Sequence, residues 1–250
     1  MKSTPLIQQI KAITNSKYLD IIGLIIVLTA SLSLGYHKTQ YEFSFQGKNY
    51  VFFLGVASII NTGLSMIGTR LVTKKNNLGN SIGTINTALS GFIDYLLGNI
   101  GAILTYPISF LGNYFVFKSW KLKKDLRSID VVFFQNMAVG FVASFLLNYI
   151  AFNYFSTDQI NWKLFFAIAI PAGISFGGTF NTARMYPDNW FTWQLYNIFK
   201  LIQNILQGNI ANVAKYSFYL LNAILGYITW NDDKKLITKS NQFANKRSGL

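Results

Sequence analysis

The 250-residue sequence has no cysteine, one histidine (His37) and one glutamate (Glu42). Without cysteine there is no disulfide scaffold and no cysteine-bearing zinc module. A single histidine and a single glutamate leave little for metal catalysis or histidine-based proton transfer. No G-x-x-x-x-G-K-[S/T] run occurs, which excludes ATP hydrolysis through a P-loop. Charge is also scarce: Asp, Glu, Lys and Arg make up 12% of the chain, about half the usual quarter. That is too little to cover a globular surface in water.

Apolar residues are abundant, at 51%, with 16% aromatics and a mean hydropathy of +0.30. Disorder is excluded by that content. The net charge of +13 would suit nucleic acid, but the basic residues form short clusters between long apolar runs, which points to a membrane instead. A spanning helix needs about 20 mostly apolar residues. Eight windows qualify: 19–36, 50–71, 80–97, 99–118, 130–155, 162–181, 190–207 and 209–230. The expectation is an all-α integral membrane protein with eight spans.

Loop charge supports that count. With eight spans, both termini and the even-numbered loops share one side, which holds 17 of the 22 basic residues; the other side holds only Lys38, Lys48 and Lys163. Lys200 and Lys215 fall within spans. Positive residues stay cytoplasmic, so the N- and C-termini are expected inside. The first span follows a long basic lead and precedes no small-x-small cleavage site, so it reads as a span and not a signal peptide.

The chain also repeats itself. A shift of 110 residues aligns Tyr95–Trp120 with Ile205–Trp230 without a gap. The identities include Gly98/Gly208, Asn99/Asn209, Ile100/Ile210, Tyr106/Tyr216 and Trp120/Trp230. The same shift pairs span 3 with 7, span 4 with 8 and, loosely, span 2 with 6. The expected organisation follows: an N-terminal lead and extra helix over 1–49, a first triple-helix bundle over 50–120, a basic loop and linker helix over 121–160, a second bundle over 161–230, and a basic cytoplasmic tail over 231–250. One linking span makes the two bundles parallel, with a polar route and a midplane site between them.

Span 7 carries the candidate site. Trp190, Trp193 and Asn197 are spaced i, i+3, i+7 and project from one helical face. Two indoles and an amide suit a flat, polar, cationic ligand. An interfacial aromatic belt accounts for tryptophan equally well, but Asn197 lies about 10 Å further along the helix, where a belt gives no reason for an amide.

The pattern Arg184-x-x-x-Asp188-Asn189-Trp190-x-x-Trp193-x-x-x-Asn197, followed by Leu206-Gln207-Gly208, resembles the PnuC-type vitamin transporters. Gly83-Thr84-Ile85-Asn86, Gly91, Asn113 and Trp120 resemble that family in the first half, and the likeness covers roughly residues 50–230. The resemblance implies a SWEET-like fold of 3+1+3 helices plus one N-terminal helix, a homotrimer in a bacterial plasma membrane, and facilitated diffusion of nicotinamide riboside trapped by an intracellular kinase. It implies no enzyme activity and no cofactor, and makes Trp190, Trp193 and Asn197 substrate contacts. Where the family carries glutamines in span 3, this chain has Asp94-Tyr95-Leu96-Leu97-Gly98. Relatives carry thiamine or deoxyribonucleosides, so those substrates stay open, as does a role as the binding subunit of a larger importer.

Polar residues elsewhere extend the list. Asn86 is a candidate partner for the Trp190 face. Gln135 and Asn136 open the linker span, where one reaches the pore or both serve helix contacts. Asp94 is either the counter-charge of a cationic ring or the structural partner of Lys200.

Overall fold

The computed structural model describes residues 3–122, 125–156 and 159–247. Lys2, Lys123 and Lys124, three of the basic residues counted above, lie outside the described residues. The side chains of Lys246 and Arg247 are likewise not described.

The described chain is almost wholly helical: α1 (Pro5–Asn15), α2 (Lys17–Ser33), α3 (Leu54–Thr73), α4 (Leu78–Leu96), α5 (Ala102–Leu122), α6 (Val131–Phe155), α7 (Trp162–Ala183), α8 (Asn189–Leu206) and α9 (Ile210–Arg247). Side-chain caps set several of the starts. Ser16 accepts from the Tyr18 amide, Asp130 from Phe133 and Asn161 from Leu164, each satisfying a donor the helix leaves free. A helix occupies each of the eight windows. By length and composition, two of the described helices, α6 and α7, are apolar enough to cross a membrane. The pair α1–α2, bent by 55° at Ser16, counts as a third if taken as one broken span. The others carry the polar side chains of a central cavity, which lowers their hydropathy without shortening them.

Burial runs opposite to that of a water-soluble protein. Val131, Phe134, Val139, Val142 and Leu146 of α6 are exposed, while Asn61, Asn148, Asn181, Asn204, Asn209 and Asn222 are almost completely buried. In water this would be unfavourable on both counts; against hydrocarbon, both become favourable.

Helix α3 packs on α4 and α4 on α5; α7 packs on α8 and α8 on α9. Between these groups α3 meets α9 as α5 meets α7. Helix α6 lies along α7, with Gly140 set against the Gly173 and Gly177 backbone so closely that an added Cβ would sit 2.5 Å from the Gly177 nitrogen. The G-x-x-x-G run of α7 therefore has α6 as its partner.

The 110-residue shift reappears in backbone detail. Gly98 and Gly208 both take positive φ (87° and 67°), as do Lys75 and Met185 (57° and 58°). The Asn99 amide bonds to the Asp94 carbonyl and the Asn209 amide to Asn204; Lys75 bonds to Val72 and Met185 to Thr182. The two halves also cross-brace each other: the Trp120 indole donates to the Thr182 carbonyl at 2.9 Å and the Trp230 indole to the Thr73 carbonyl at 2.8 Å.

Three features depart from the reading of the sequence. Residues 50–52, placed in a span, belong to a β-hairpin, β1 (Tyr41–Phe45) and β2 (Lys48–Phe52), and α3 begins only at Leu54. Gln46 and Gly47 both have φ > 0, the two-residue turn whose twist suits a hairpin. Residues 5–15 form a full helix. The tail beyond 230 continues α9 to Arg247, and its Asp232 and Asp233 pair with Lys11 at 2.6 Å and, for Asp233, with Lys75. At the same end Arg70, 2% exposed, donates to Asp20, Asn222 and the Thr14 carbonyl, so one guanidinium holds α1, α2, α3 and α9.

The segment before α6 is pinned to the α7–α8 turn. The Tyr186 hydroxyl donates to Asp130 at 2.7 Å, and the Arg127 amide donates to the Met185 carbonyl. The Tyr186 hydrogen bond, aided by the Phe133 and Val132 amides, holds the Asp130 carboxyl below the usual aspartate range against a smaller opposing effect of burial. A lowered folded pKa contributes stability that is complete above the unfolded value and is lost as pH falls through the folded one. Tyr186→Phe is expected to lower the melting temperature in detergent at pH 7. The difference from wild type should shrink as pH drops through and below the ordinary aspartate range, read by thermal unfolding over a pH series.

Candidate functional site

Six helices, α3–α5 and α7–α9, enclose a cavity of about 250 Å3, just below the roughly 300–1,000 Å3 typical of ligand pockets. Its two sides differ. The α8–α9 side is aromatic: Trp193, Tyr196, Tyr216 and Tyr219 follow one another edge to face, with centroids 5.4, 6.0 and 5.8 Å apart. The α3–α4 side is small and polar, with Ser65, Thr69, Gly83, Asn86, Thr87 and Ser90, and it meets the aromatic side where Ser65 and the Tyr219 hydroxyl lie 3.1 Å apart. The repeat makes the contrast explicit. Trp193 stands at the position of Gly83, and Tyr196 at that of Asn86.

Trp190, Trp193, Asn197, Asn86 and Asp94 all line the cavity. Trp190 is 5% exposed and meets Trp230 edge to face at 5.6 Å, so it is an interior residue and not part of a lipid-facing belt. The Trp193 indole donates to the Thr182 hydroxyl at 3.1 Å. The Asn197 amide donates to the Tyr219 carbonyl at 3.1 Å, which fixes its orientation across α8 and α9. Asn86 is buried, and its Oδ1 has no hydrogen-bond partner among the described residues, which leaves an acceptor for a bound molecule.

Gln135 is not brought to this site. It lies on the exposed face of α6, outside the lining. Its neighbour Asn136 turns inward and donates to Asn181 at 2.8 Å, the helix-to-helix contact that was one of the two readings. Asp94 is present but does not wait for a cationic ring. Its Oδ2 accepts from Lys200 at 3.0 Å and from the Tyr106 hydroxyl at 2.6 Å, with Asn99 and Gln203 each at 3.4 Å. The carboxylate charge is thus matched by Lys200, because span 3 and span 7 face each other at these positions. The pair joins α4 to α8 near their C-terminal ends, where the Gln207 amide also donates to the Leu97 carbonyl. Among the described residues no hydrogen bond or ion pair joins the N-terminal halves of α4 and α8.

Tyr196, Tyr216, Tyr219 and Lys215 were not singled out from the sequence as site residues. Tyr196 follows Trp193 by three residues, and Tyr219 follows Tyr216 by three, so the helical spacing that revealed the tryptophans also holds the signal for these.

The family model described as nicotinamide mononucleotide transporter matches residues 55–232 of this chain. A solved structure described as the crystal structure of the vitamin B3 transporter PnuC is similar over 88% of this chain and 93% of that one. The TM-score is 0.64 and the identity 12%, a likeness of fold. No curated protein matches the chain significantly.

Removing one partner of an enclosed ion pair leaves the other charge uncompensated, at a cost of about 3–5 kcal/mol. Asp94→Asn is expected to lower the melting temperature markedly. The double variant Asp94→Asn with Lys200→Met should recover a large part of that loss, as read by thermal unfolding in detergent.

Proposed function

The chain belongs to the nicotinamide mononucleotide transporter family, and from that premise we propose that it carries nicotinamide riboside across the bacterial plasma membrane by facilitated diffusion. The observation that carries this reading is the one-sided cavity. A pyridinium ring laid on Trp193, Tyr196 and Tyr216 gains stacking and cation–π attraction, while the ribose hydroxyls and carboxamide meet Asn86, Thr87 and Asn197. The volume of about 250 Å3 suits one molecule of nucleoside size.

The finer architecture belongs to the same proposal. Eight spans, arranged as two parallel three-helix bundles, a linker helix and one extra N-terminal helix, are favoured by the helices found at every window and by the 17-to-3 charge asymmetry. That asymmetry also favours cytoplasmic termini. The PnuC-like signature in α8 favours the SWEET-like arrangement, the homotrimer and trapping of the entering substrate by an intracellular kinase, with no chemistry performed by the chain itself.

Movement is read from where the two halves are joined. The Asp94–Lys200 pair and the Gln207–Leu97 bond close the C-terminal ends of α4 and α8, and the opposite ends are without such bonds among the described residues. Alternating access then consists of parting the first pair of ends while the Trp190 ends approach. The charge bias favours an extracellular position for the closed end.

The test is calorimetric titration of purified protein with nicotinamide riboside, thiamine and a deoxyribonucleoside. Of these three compounds, nicotinamide riboside is expected to bind most tightly. Trp193→Ala should weaken it by roughly 1–3 kcal/mol, the worth of one stacked base, or about 5- to 140-fold in Kd. Tighter binding of thiamine or the deoxyribonucleoside would move the substrate; wild-type affinity in Trp193→Ala would remove the aromatic side from the site.

A further inference from the structure

The cavity holds a lysine that the nicotinamide riboside reading does not use. Lys215, on α9, is 3% exposed and lines the cavity. Among the described residues it makes no hydrogen bond and no ion pair; its ammonium sits 4.4 Å from the centroid of the Tyr216 ring. The neighbouring lysine differs in this respect: Lys200 is matched by Asp94 at 3.0 Å and by the Gln203 amide oxygen at 2.9 Å. The ionisable acid and base residues in the lining other than tyrosine are Asp94, Lys200 and Lys215, one carboxylate and two lysines. At the position related to Lys215 by the repeat stands Thr105, whose hydroxyl is returned to its own helix through the Gly101 carbonyl. The second half of the chain has a buried lysine where the first half has a self-satisfied hydroxyl.

An ammonium enclosed without a counter-ion is unfavourable, and an intramembrane ionisable residue without a structural partner is a functional candidate. The unfavourable term is removed by whatever brings an anion to it. The aromatic side of the cavity, by contrast, favours a cationic ring. Tyr216 serves both: one member of the aromatic row, it is also the residue against which Lys215 rests.

Resting on the pyridine-nucleoside reading above, we propose that Lys215 is a specificity-determining residue that selects pyridine nucleosides bearing an anionic group. The substrate class is then zwitterionic, with its ring cation on the aromatic side and its carboxylate or phosphate drawn to the Lys215 ammonium. A charge-assisted contact of this kind is stronger than a neutral hydrogen bond, and the uncharged carboxamide of nicotinamide riboside cannot supply it.

The experiment measures Kd on purified full-length protein for nicotinamide riboside, nicotinic acid riboside (a ring carboxylate) and nicotinamide mononucleotide (a phosphate on the sugar). Wild type is expected to bind at least one of the two anionic compounds tenfold or more tightly than nicotinamide riboside, and which one identifies the source of the anion. In Lys215→Met that ratio should fall at least tenfold, while Lys215→Arg should keep it. Should the methionine variant not fold, the wild-type ratio and the arginine variant still decide. Wild type that binds nicotinamide riboside as well as or better than both anionic compounds overturns the role of Lys215 and leaves the pyridine-nucleoside reading intact. The same holds for a ratio unchanged in Lys215→Met. Wild type that binds none of the three overturns both.

Discussion

An aspartate and a lysine buried between two helices lose most of their contact with solvent, so each depends on the other and on the dipoles around them. Asp94 and Lys200 meet at 3.0 Å with exposures of 3% and 6%, and Tyr106, Asn99 and Gln203 complete the carboxylate's surroundings. This cluster is drawn from α4, α5 and α8 and from the Gly98 turn, so it fixes how the two halves meet at one end. Gly91 permits it: an added Cβ there would come within 2.7 Å of the Tyr106 ring, displacing the tyrosine that donates to Asp94. This is the end at which an ion pair and hydrogen bonds join α4 to α8 among the described residues.

The repeat gives the scaffold and its breaking gives the site. Turns at Gly98 and Gly208, reversals at Lys75 and Met185, and reciprocal indole braces from Trp120 and Trp230 are shared by the halves. These are backbone and anchoring features. Ser65/Ser175, Thr69/Thr179 and Tyr106/Tyr216 face the cavity in both halves, but other lining positions are not shared: Gly83, Asn86, Ser90 and Thr105 of one half answer to Trp193, Tyr196, Lys200 and Lys215 of the other. Two unlike linings suit an unsymmetrical molecule better than two identical ones would.

Much of the helix layout was legible because hydropathy reports contact with lipid, and the repeat was legible because Gly-Asn-Ile and a terminal tryptophan are rare enough to match by more than chance. The face of α8 was legible because polar and aromatic residues alternate with apolar ones at helical spacing. Gln135 shows where that signal ends. Helix α6 is apolar almost all round, so its sequence gives no phase, and only the packing of Gly140 on α7 turns Asn136 inward and Gln135 outward. The partner of Asp94 lies 106 residues away. The repeat places both charges on facing helices, but their distance is set by packing that no single helix encodes. The hairpin at 41–52 carries an alternating pattern and a Gln-Gly turn, yet its aromatic content reads equally well as the start of a span.

The most direct measurement is flux of labelled nicotinamide riboside into liposomes that hold the purified chain alone. Facilitated diffusion predicts saturable entry that stops when inside and outside concentrations are equal. It also predicts accumulation beyond that point only when a kinase and ATP are enclosed within. Accumulation without the kinase would contradict a passive carrier, and absence of flux with intact binding would make the chain the binding subunit of a larger importer.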